Sequence, residues 1–266
     1  VGELVTCADS DEEFSECLVK LTAMNHHSSA RIPSRLRILR LIMLNAKSDD
    51  QVEILSKSSR LLFSMALGVM ISPNSNPDGI QEAVELIEVM ASKRGIISLR
   101  ERDLCLILAH VVGALRLTGE LEVAMANEIF KSCFSIVSSI LQRFSKQLYS
   151  CIPSVIQCLV AFLDHCTSPA NLCDADVIDR GHMFGRLCEL ILPHGDFYKK
   201  HVLCLAVAFV EALKHNLDPI RRNSLLPAIY CILDILQQHE KLQLNAMLDD
   251  MGRALLRSVY ENYKKQ

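Results

Sequence analysis

The sequence contains no tryptophan, and its aromatic residues supply only 5% of the 266 positions. Aromatic rings are the surfaces on which proteins stack unpaired bases, so this scarcity leaves few platforms for single-stranded nucleic acid. The 28 basic and 31 acidic residues give a formal charge of −3, which removes any strong overall attraction to phosphates. RNA binding would therefore depend on local basic clusters.

Motifs of common enzyme sites are also absent. No Gly-x-x-x-x-Gly-Lys phosphate loop occurs. Asp164, His165 and Cys166 suggest a cysteine nucleophile, but successive helical residues point about 100° apart and cannot form a hydrogen-bonded triad. We interpret this tripeptide as a helix end with an exposed histidine. The sequence therefore predicts no enzymatic activity, no small-molecule substrate and no cofactor.

The 11 cysteines include no Cys-x-x-Cys pair, although structural zinc sites use such short spacings. The nearest approach to a metal site is His201 with Cys204, with His182, Cys188 and His194 upstream. We predict no metal site from this set. An odd number of cysteines in apolar segments of a large chain indicates reduced thiols in a reducing compartment.

Long apolar runs are lacking as well. The uncharged run 147–163, which no other uncharged run exceeds in length, contains serine, proline and glutamine and falls short of a bilayer-spanning helix, so we predict no membrane contact. The chain begins at Val1 without an initiator methionine or a signal-peptide pattern. We interpret it as the C-terminal fragment of a longer helical chain.

Apolar residues recur at spacings of three and four almost throughout, whereas the alternation typical of strands is missing. The pattern predicts an all-α protein of about eleven helices, either a HEAT/armadillo-like array, with helix pairs beginning near residues 98, 151 and 198, or an irregular bundle. Three stripes illustrate the spacing: Ile80, Ala83, Val84, Ile87, Met90 and Ala91; a set within residues 121–148; and Leu244, Leu248, Met251, Leu255 and Val259.

Helix boundaries follow from capping chemistry. Ser98 with Glu101 predicts a capping box, and Asp218 before Pro219 predicts an N-cap followed by proline at the first helical position. The composition of residues 72–79 predicts a loop. We therefore expect one all-helical domain over residues 1–266, with a sub-boundary at that loop as an alternative.

Basic residues cluster on or before one expected helix. Arg31, Arg35, Arg37 and Arg40 form a candidate RNA-phosphate patch, which would act through backbone phosphates. The alternative is the solvated face of an amphipathic helix, which charge patterning favours.

One segment suggests a family. Residues 225–234 (LLPAIYCILD), the pair Leu244–Asn245 and residues 253–265 (RALLRSVYENYKK) resemble the C-terminal domain of the nucleolar pre-rRNA processing Urb/Npa family. The resemblance implies a non-enzymatic scaffold for pre-rRNA processing and early large-subunit ribosome assembly in the nucleolus. It also implies a larger helical-repeat protein and a DEAD-box helicase as partners, while direct contact with pre-rRNA stays open. A generic HEAT-like protein–protein adaptor outside ribosome biogenesis is the alternative.

The same segment contains the candidate site. Pro227 should start or kink the helix that carries Tyr230, because it lacks an amide hydrogen. Tyr260 and Tyr263 can share one helical face. Together they form either a terminal cap over the core or a surface for a partner. The full candidate set is Tyr230, Arg253, Leu256, Arg257, Tyr260, Tyr263 and Lys264.

Overall fold

The apolar stripes of the sequence form helices in the computed structural model, which describes residues 11–23, 32–46, 48–71, 76–93, 99–168, 172–215 and 218–264. These ranges contain twelve α-helices, three short 3-10 segments and no strand, so the all-α prediction is confirmed. In chain order the α-helices are α1 (Asp11–Ala23), α2 (Ile32–Asn45), α3 (Asp49–Ile71), α4 (Pro77–Ser92), α5 (Glu101–Leu117), α6 (Val123–Arg143), α7 (Ile152–Thr167), α8 (Asp174–Ile191), α9 (Gly195–Lys214), α10 (Pro219–Ile235), α11 (Gln238–Met247) and α12 (Asp250–Tyr263).

The chain divides into two compact units, Val1–Ile140 and Leu141–Gln266. The expectation of one domain over residues 1–266 stays a prediction. In the first unit, α1 contacts α2 and α3, α2 packs on α4, and α3 contacts α4 and α5. All six residues of the α4 stripe are buried, as their spacing predicted. The stripe therefore forms the middle of this core.

In the second unit, α9 makes contacts with four other helices, and α8 packs most extensively on α10. Helix α7 contacts α8 and α9, α8 packs on α10, and α9 contacts α10, α11 and α12. Contacts between helices one and two places apart are typical of stacked helix pairs. Helices α5, α7 and α9 begin at residues 101, 152 and 195, close to the predicted starts of the helix pairs.

The closest packing in the second unit joins α8 to α10. A β-carbon on Gly181 would lie 2.9 Å from the carbonyl oxygen of Ser224 and closer still to its side chain. One turn later, a β-carbon on Gly185 would lie 3.8 Å from Pro227. Only glycine at residue 181 lets the two helices approach this closely, because any side chain there would overlap α10.

Several predicted helix boundaries are confirmed or corrected. The amide of Arg221 donates to Asp218 at 2.9 Å, so the predicted N-cap of α10 is confirmed. Helix α4 begins at Pro77 after an Asn76 cap, so the predicted loop 72–79 extended too far. Pro227 lies inside α10 and does not start it, because Asp218 and Pro219 already do.

The predicted Ser98–Glu101 capping box is also corrected. Helix α5 begins at Glu101, and the carboxylate of Asp103 accepts from the amide of Arg100 at 3.0 Å. The cap therefore lies two residues later than predicted, and Ser98 itself lies outside the described residues. Asp103 at the third helical position thus satisfies the amide of the Arg100 N-cap, the role that Glu101 was predicted to have for the amide of Ser98.

The third predicted stripe belongs to two helices instead of one. The amide of Gly252 donates to Asp249 at 2.8 Å, which starts α12 after a break at Leu248. Leu248 and Val259 are buried, whereas Met251 is 61% exposed. The apolar spacing continues across the break, so periodicity alone concealed the second helix start.

The ten cysteines that the structure describes have free thiols. Cys133, Cys158 and Cys188 are buried within helices. Cys204 is exposed. Among the described residues, no helix combines the length and apolar character that a membrane span requires.

Candidate protein-interaction surface

The candidate residues near the C-terminus surround an open groove formed by α10, α11 and α12. The groove has a volume of about 410 Å³. Its floor is apolar, with buried Leu233 from α10 and Leu244 from α11 beside half-buried Leu256 from α12. We call this feature the C-terminal groove. Its lining consists of Leu233, Gln238, Lys241, Leu244, Asn245, Leu256, Arg257, Tyr260, Glu261 and Lys264.

Polar contacts fix the start of α12, which supplies half of the groove. The Asp249 carboxylate caps α12 and also lies 2.7 Å from the ammonium group of Lys214 on α9. These contacts lower the pKa of Asp249, because the hydrogen bond from Lys214 and that from the Gly252 amide favour the carboxylate. The Arg253 guanidinium donates to the carbonyl of Leu248 at 2.9 Å. Helix α12 is therefore held against α9 by its first turn.

Two of the candidate tyrosines pack α12 against α10. The rings of Tyr230 and Tyr263 lie 5.5 Å apart, and the Tyr263 hydroxyl donates to the carboxylate of Asp234. This hydrogen bond raises the pKa of Tyr263, because it stabilises the protonated hydroxyl. Both tyrosines are half-buried. Tyr230 and Tyr263 thus close the end of the unit.

The third tyrosine faces the groove between two ammonium groups. The Nζ atom of Lys264 lies 4.9 Å from the centroid of the Tyr260 ring, and that of Lys241 lies 5.7 Å from it. Such cation–π contacts are worth about 0.5–1 kcal/mol at exposed sites. Arg257 is exposed at the same rim, one position along from Leu256.

The structure thereby divides the candidate set. Tyr230, Arg253 and Tyr263 make ring contacts or hydrogen bonds within the unit, and their role as an end cap stays a prediction. The other four, Leu256, Arg257, Tyr260 and Lys264, line the C-terminal groove, as a partner surface requires.

Sequence analysis missed the groove residues on the other two helices. Lys241 and Leu244 lie on α11, and Leu233 lies on α10. They line the groove because the breaks at 236–237 and 248–249 separate α10, α11 and α12 and let the three helices pack around it. The Asp249-x-x-Gly252 cap was the available local signal for the second break.

The second predicted surface, the α2 arginines, is largely engaged in packing within the first unit. Arg35 is buried and donates to the carbonyl of Leu21 at the end of α1. Arg40 pairs with Glu85 and lies 3.2 Å from Glu82, both on α4. These contacts join α2 to its neighbours, so neither side chain is available as an exposed phosphate ligand.

The rest of that set differs in exposure. The side chain of Arg37 is 64% exposed and lies 4.0 Å from Glu82. Arg31 lies outside the described residues. RNA binding by the arginine patch stays a prediction.

The end of α2 contacts another cation, because the Lys93 ammonium donates to the carbonyls of Met43 at 2.6 Å and Ala46 at 3.0 Å.

The predicted exposed histidine at the end of α7 is wrong. His165 is largely buried, and its Nδ1 atom lies 2.8 Å from the guanidinium of Arg180, which is a buried residue of α8. Burial and then the positive charge of Arg180 lower the pKa of His165 to about 4. Burial likewise raises the pKa of Cys166 to about 12, so this thiol is protonated at neutral pH.

The residues considered for a metal site do not converge. Cys188 is buried in α8, whereas His182, His201 and Cys204 are exposed. Over the described ranges, no group of three or more histidine, cysteine, aspartate or glutamate side chains could hold a metal ion.

Comparisons with known proteins identify a family. The sequence model described as the Urb2/Npa2 family matches residues 81–266, well over half of the chain. This match includes α4 from Gln81 onward and every later helix, and therefore the whole C-terminal groove. No curated protein and no solved structure matches significantly.

Proposed function

Because the chain belongs to the Urb2/Npa2 family, a family of ribosome biogenesis factors, we propose that it acts as a non-enzymatic scaffold in early large-subunit assembly. The family match over residues 81–266 is the observation on which this proposal rests. We further propose that the chain supports pre-rRNA processing in the nucleolus.

The architecture supports a role in binding. Stacked helix pairs offer extended surfaces whose geometry persists while partners and RNA rearrange. The C-terminal groove adds a concave site with an apolar floor, which is the form that protein-binding hot spots take. We propose a larger helical-repeat protein and a DEAD-box helicase as partners in the early particle.

Sedimentation and RNA analysis test this function. In cells carrying the tagged full-length protein, we expect it to sediment with precursor large subunits and to accumulate in the nucleolus. Depletion should cause unprocessed pre-rRNA to accumulate, as measured by RNA blotting. Recovery only with cytosolic regulatory or trafficking proteins, with normal pre-rRNA processing, would instead favour the adaptor alternative.

A further inference from the structure

The C-terminal groove combines an apolar floor with a cationic rim. Lys241, Arg257 and Lys264 line the groove with the buried leucines of the floor, and Glu261 is the only carboxylate among the described lining residues. None of these three cations forms an ion pair with another described residue. Nearby Lys214, by contrast, contacts two carboxylates. The rim cations therefore pair with no described carboxylate, and two of them contact the Tyr260 ring instead.

We propose that this groove binds a short acidic segment of a partner protein. One large apolar side chain of that segment would enter the groove over Leu233, Leu244 and Leu256. Its flanking carboxylates would pair with Lys241, Arg257 and Lys264. The inference rests on the proposed function in one respect, because it makes the partner another assembly factor.

The size and chemistry of the groove fit such an anchor. A volume of about 410 Å³ lies at the lower end of the range for binding pockets and has room for one or two large side chains. Desolvating an apolar anchor supplies affinity, while rim charges select the partner and speed its association. Gln238 and Asn245 add amide groups at the edge that can bind the backbone of the segment.

The same geometry favours a peptide over RNA. Binding of unpaired bases requires an aromatic face on which a base can stack. Tyr260 is the aromatic residue of the groove, and the ammonium groups of Lys241 and Lys264 lie over its ring. The floor beside it consists of aliphatic side chains, which bind apolar groups and give no stacking surface.

Fluorescence anisotropy with the 266-residue chain tests the proposal. The probe is a fluorescein-labelled peptide of about twelve residues in which aspartates and glutamates flank one central leucine. We expect a dissociation constant on the order of 10–100 μM at moderate salt. Replacing the leucine by serine should weaken binding at least about tenfold, because the apolar anchor is lost. Replacing the acidic residues by their amides should have a similar effect.

Protein variants locate the site. Combined Arg257→Glu and Lys264→Glu changes should weaken binding at least about tenfold, through like-charge repulsion at the rim. Arg257→Glu alone is compared with a control of equal charge change, Lys200→Glu, at an exposed lysine on α9 outside the groove lining, which should change affinity less than about twofold. Asn245→Trp is a second test, because an indole at this exposed edge should block the groove without reversing charge. Circular dichroism and the urea midpoint establish that each variant folds.

Three outcomes would overturn the inference. The first is equal binding of the leucine and serine peptides, and the second is equal loss of affinity with Lys200→Glu. The third is tighter binding, dependent on Arg257 and Lys264, of a uridine oligonucleotide of the same length. If the peptide fails while the chain sediments with precursor subunits, the groove inference fails and the proposed function stands. If the peptide binds while sedimentation and processing are negative, the groove is retained and the ribosomal role fails.

Discussion

Two sets of cations in this molecule have opposite surroundings. Arg35 and Arg40 on α2 contact a carbonyl and two carboxylates of neighbouring helices. Arg257 and Lys264 at the end of the chain line a groove and contact no carboxylate of the described residues. Both sets look alike in the sequence, as basic residues on amphipathic helices. Their roles are therefore determined by the residues that pack opposite them.

The second unit also contains an internal cation. Arg180 lies buried beside His165, which stays neutral at physiological pH because its pKa is lowered. A neutral imidazole can accept a hydrogen bond from the guanidinium, whereas a protonated one repels it. Cations with internal partners should thus affect stability, and the groove cations should affect binding.

The largest expected effect concerns His165. Its pKa is about 4 in the folded chain, below the ordinary value of 6.5, so the unfolded chain binds more protons between these values. The stability that neutral His165 contributes is therefore fully present above pH 6.5 and is lost as the pH falls towards 4. The loss should be on the order of 3 kcal/mol. The free energy of unfolding, measured by urea denaturation of the chain across this pH range, checks the predicted loss.

Two variants isolate the histidine. His165→Asn should reduce the pH dependence between 6.5 and 5, where few carboxylates titrate. His182→Asn, at an exposed position on α8, should leave that dependence unchanged. Equal slopes for all three proteins would contradict the assignment.

The next effect concerns Arg40. Arg40→Ala should lower the free energy of unfolding of the first unit by about 2 kcal/mol, because the side chains of Glu82 and Glu85 are only 16% and 17% exposed and lose the guanidinium that neutralises both. Arg37→Ala, at a 64% exposed side chain, should cost less than about 0.5 kcal/mol. Urea denaturation of both variants measures the difference. Similar losses would mean that burial of the pair contributes little.

Small effects on stability are expected at the groove. Lys241→Gln, Arg257→Gln and Lys264→Gln, made one at a time, should each change the free energy of unfolding by less than about 1 kcal/mol, since no described ion pair is broken. The cation–π contacts to Tyr260 account for most of any loss. A loss as large as that of Arg40→Ala would place these cations with the structural set.

Features determined within a few residues were predictable from the sequence. The α4 stripe and the Asp218–Pro219 start of α10 are examples, because apolar spacing and caps act over one or two turns. The burial of His165 was not predictable in this way, because its partner Arg180 lies 15 positions later on another helix.

The same limit applies to the candidate site. The C-terminal segment contributed four groove residues, because three of them share α12 and Lys264 is its C-cap. Lys241 and the two buried leucines of the floor depend on how α10, α11 and α12 pack together. The α2 arginines were misleading for the same reason, since Glu82 and Glu85 lie more than forty positions away.

The near contact of Gly181 with Ser224 has a mechanical consequence. Two helices whose backbones almost touch cannot slide or tilt against each other without steric overlap, so α8 and α10 should move as one stiff body. Helix α12 contacts α9 and α10 through the long side chains of Lys214 and Tyr263, which can change rotamer. The second unit should therefore be most compliant at the helix that borders the groove.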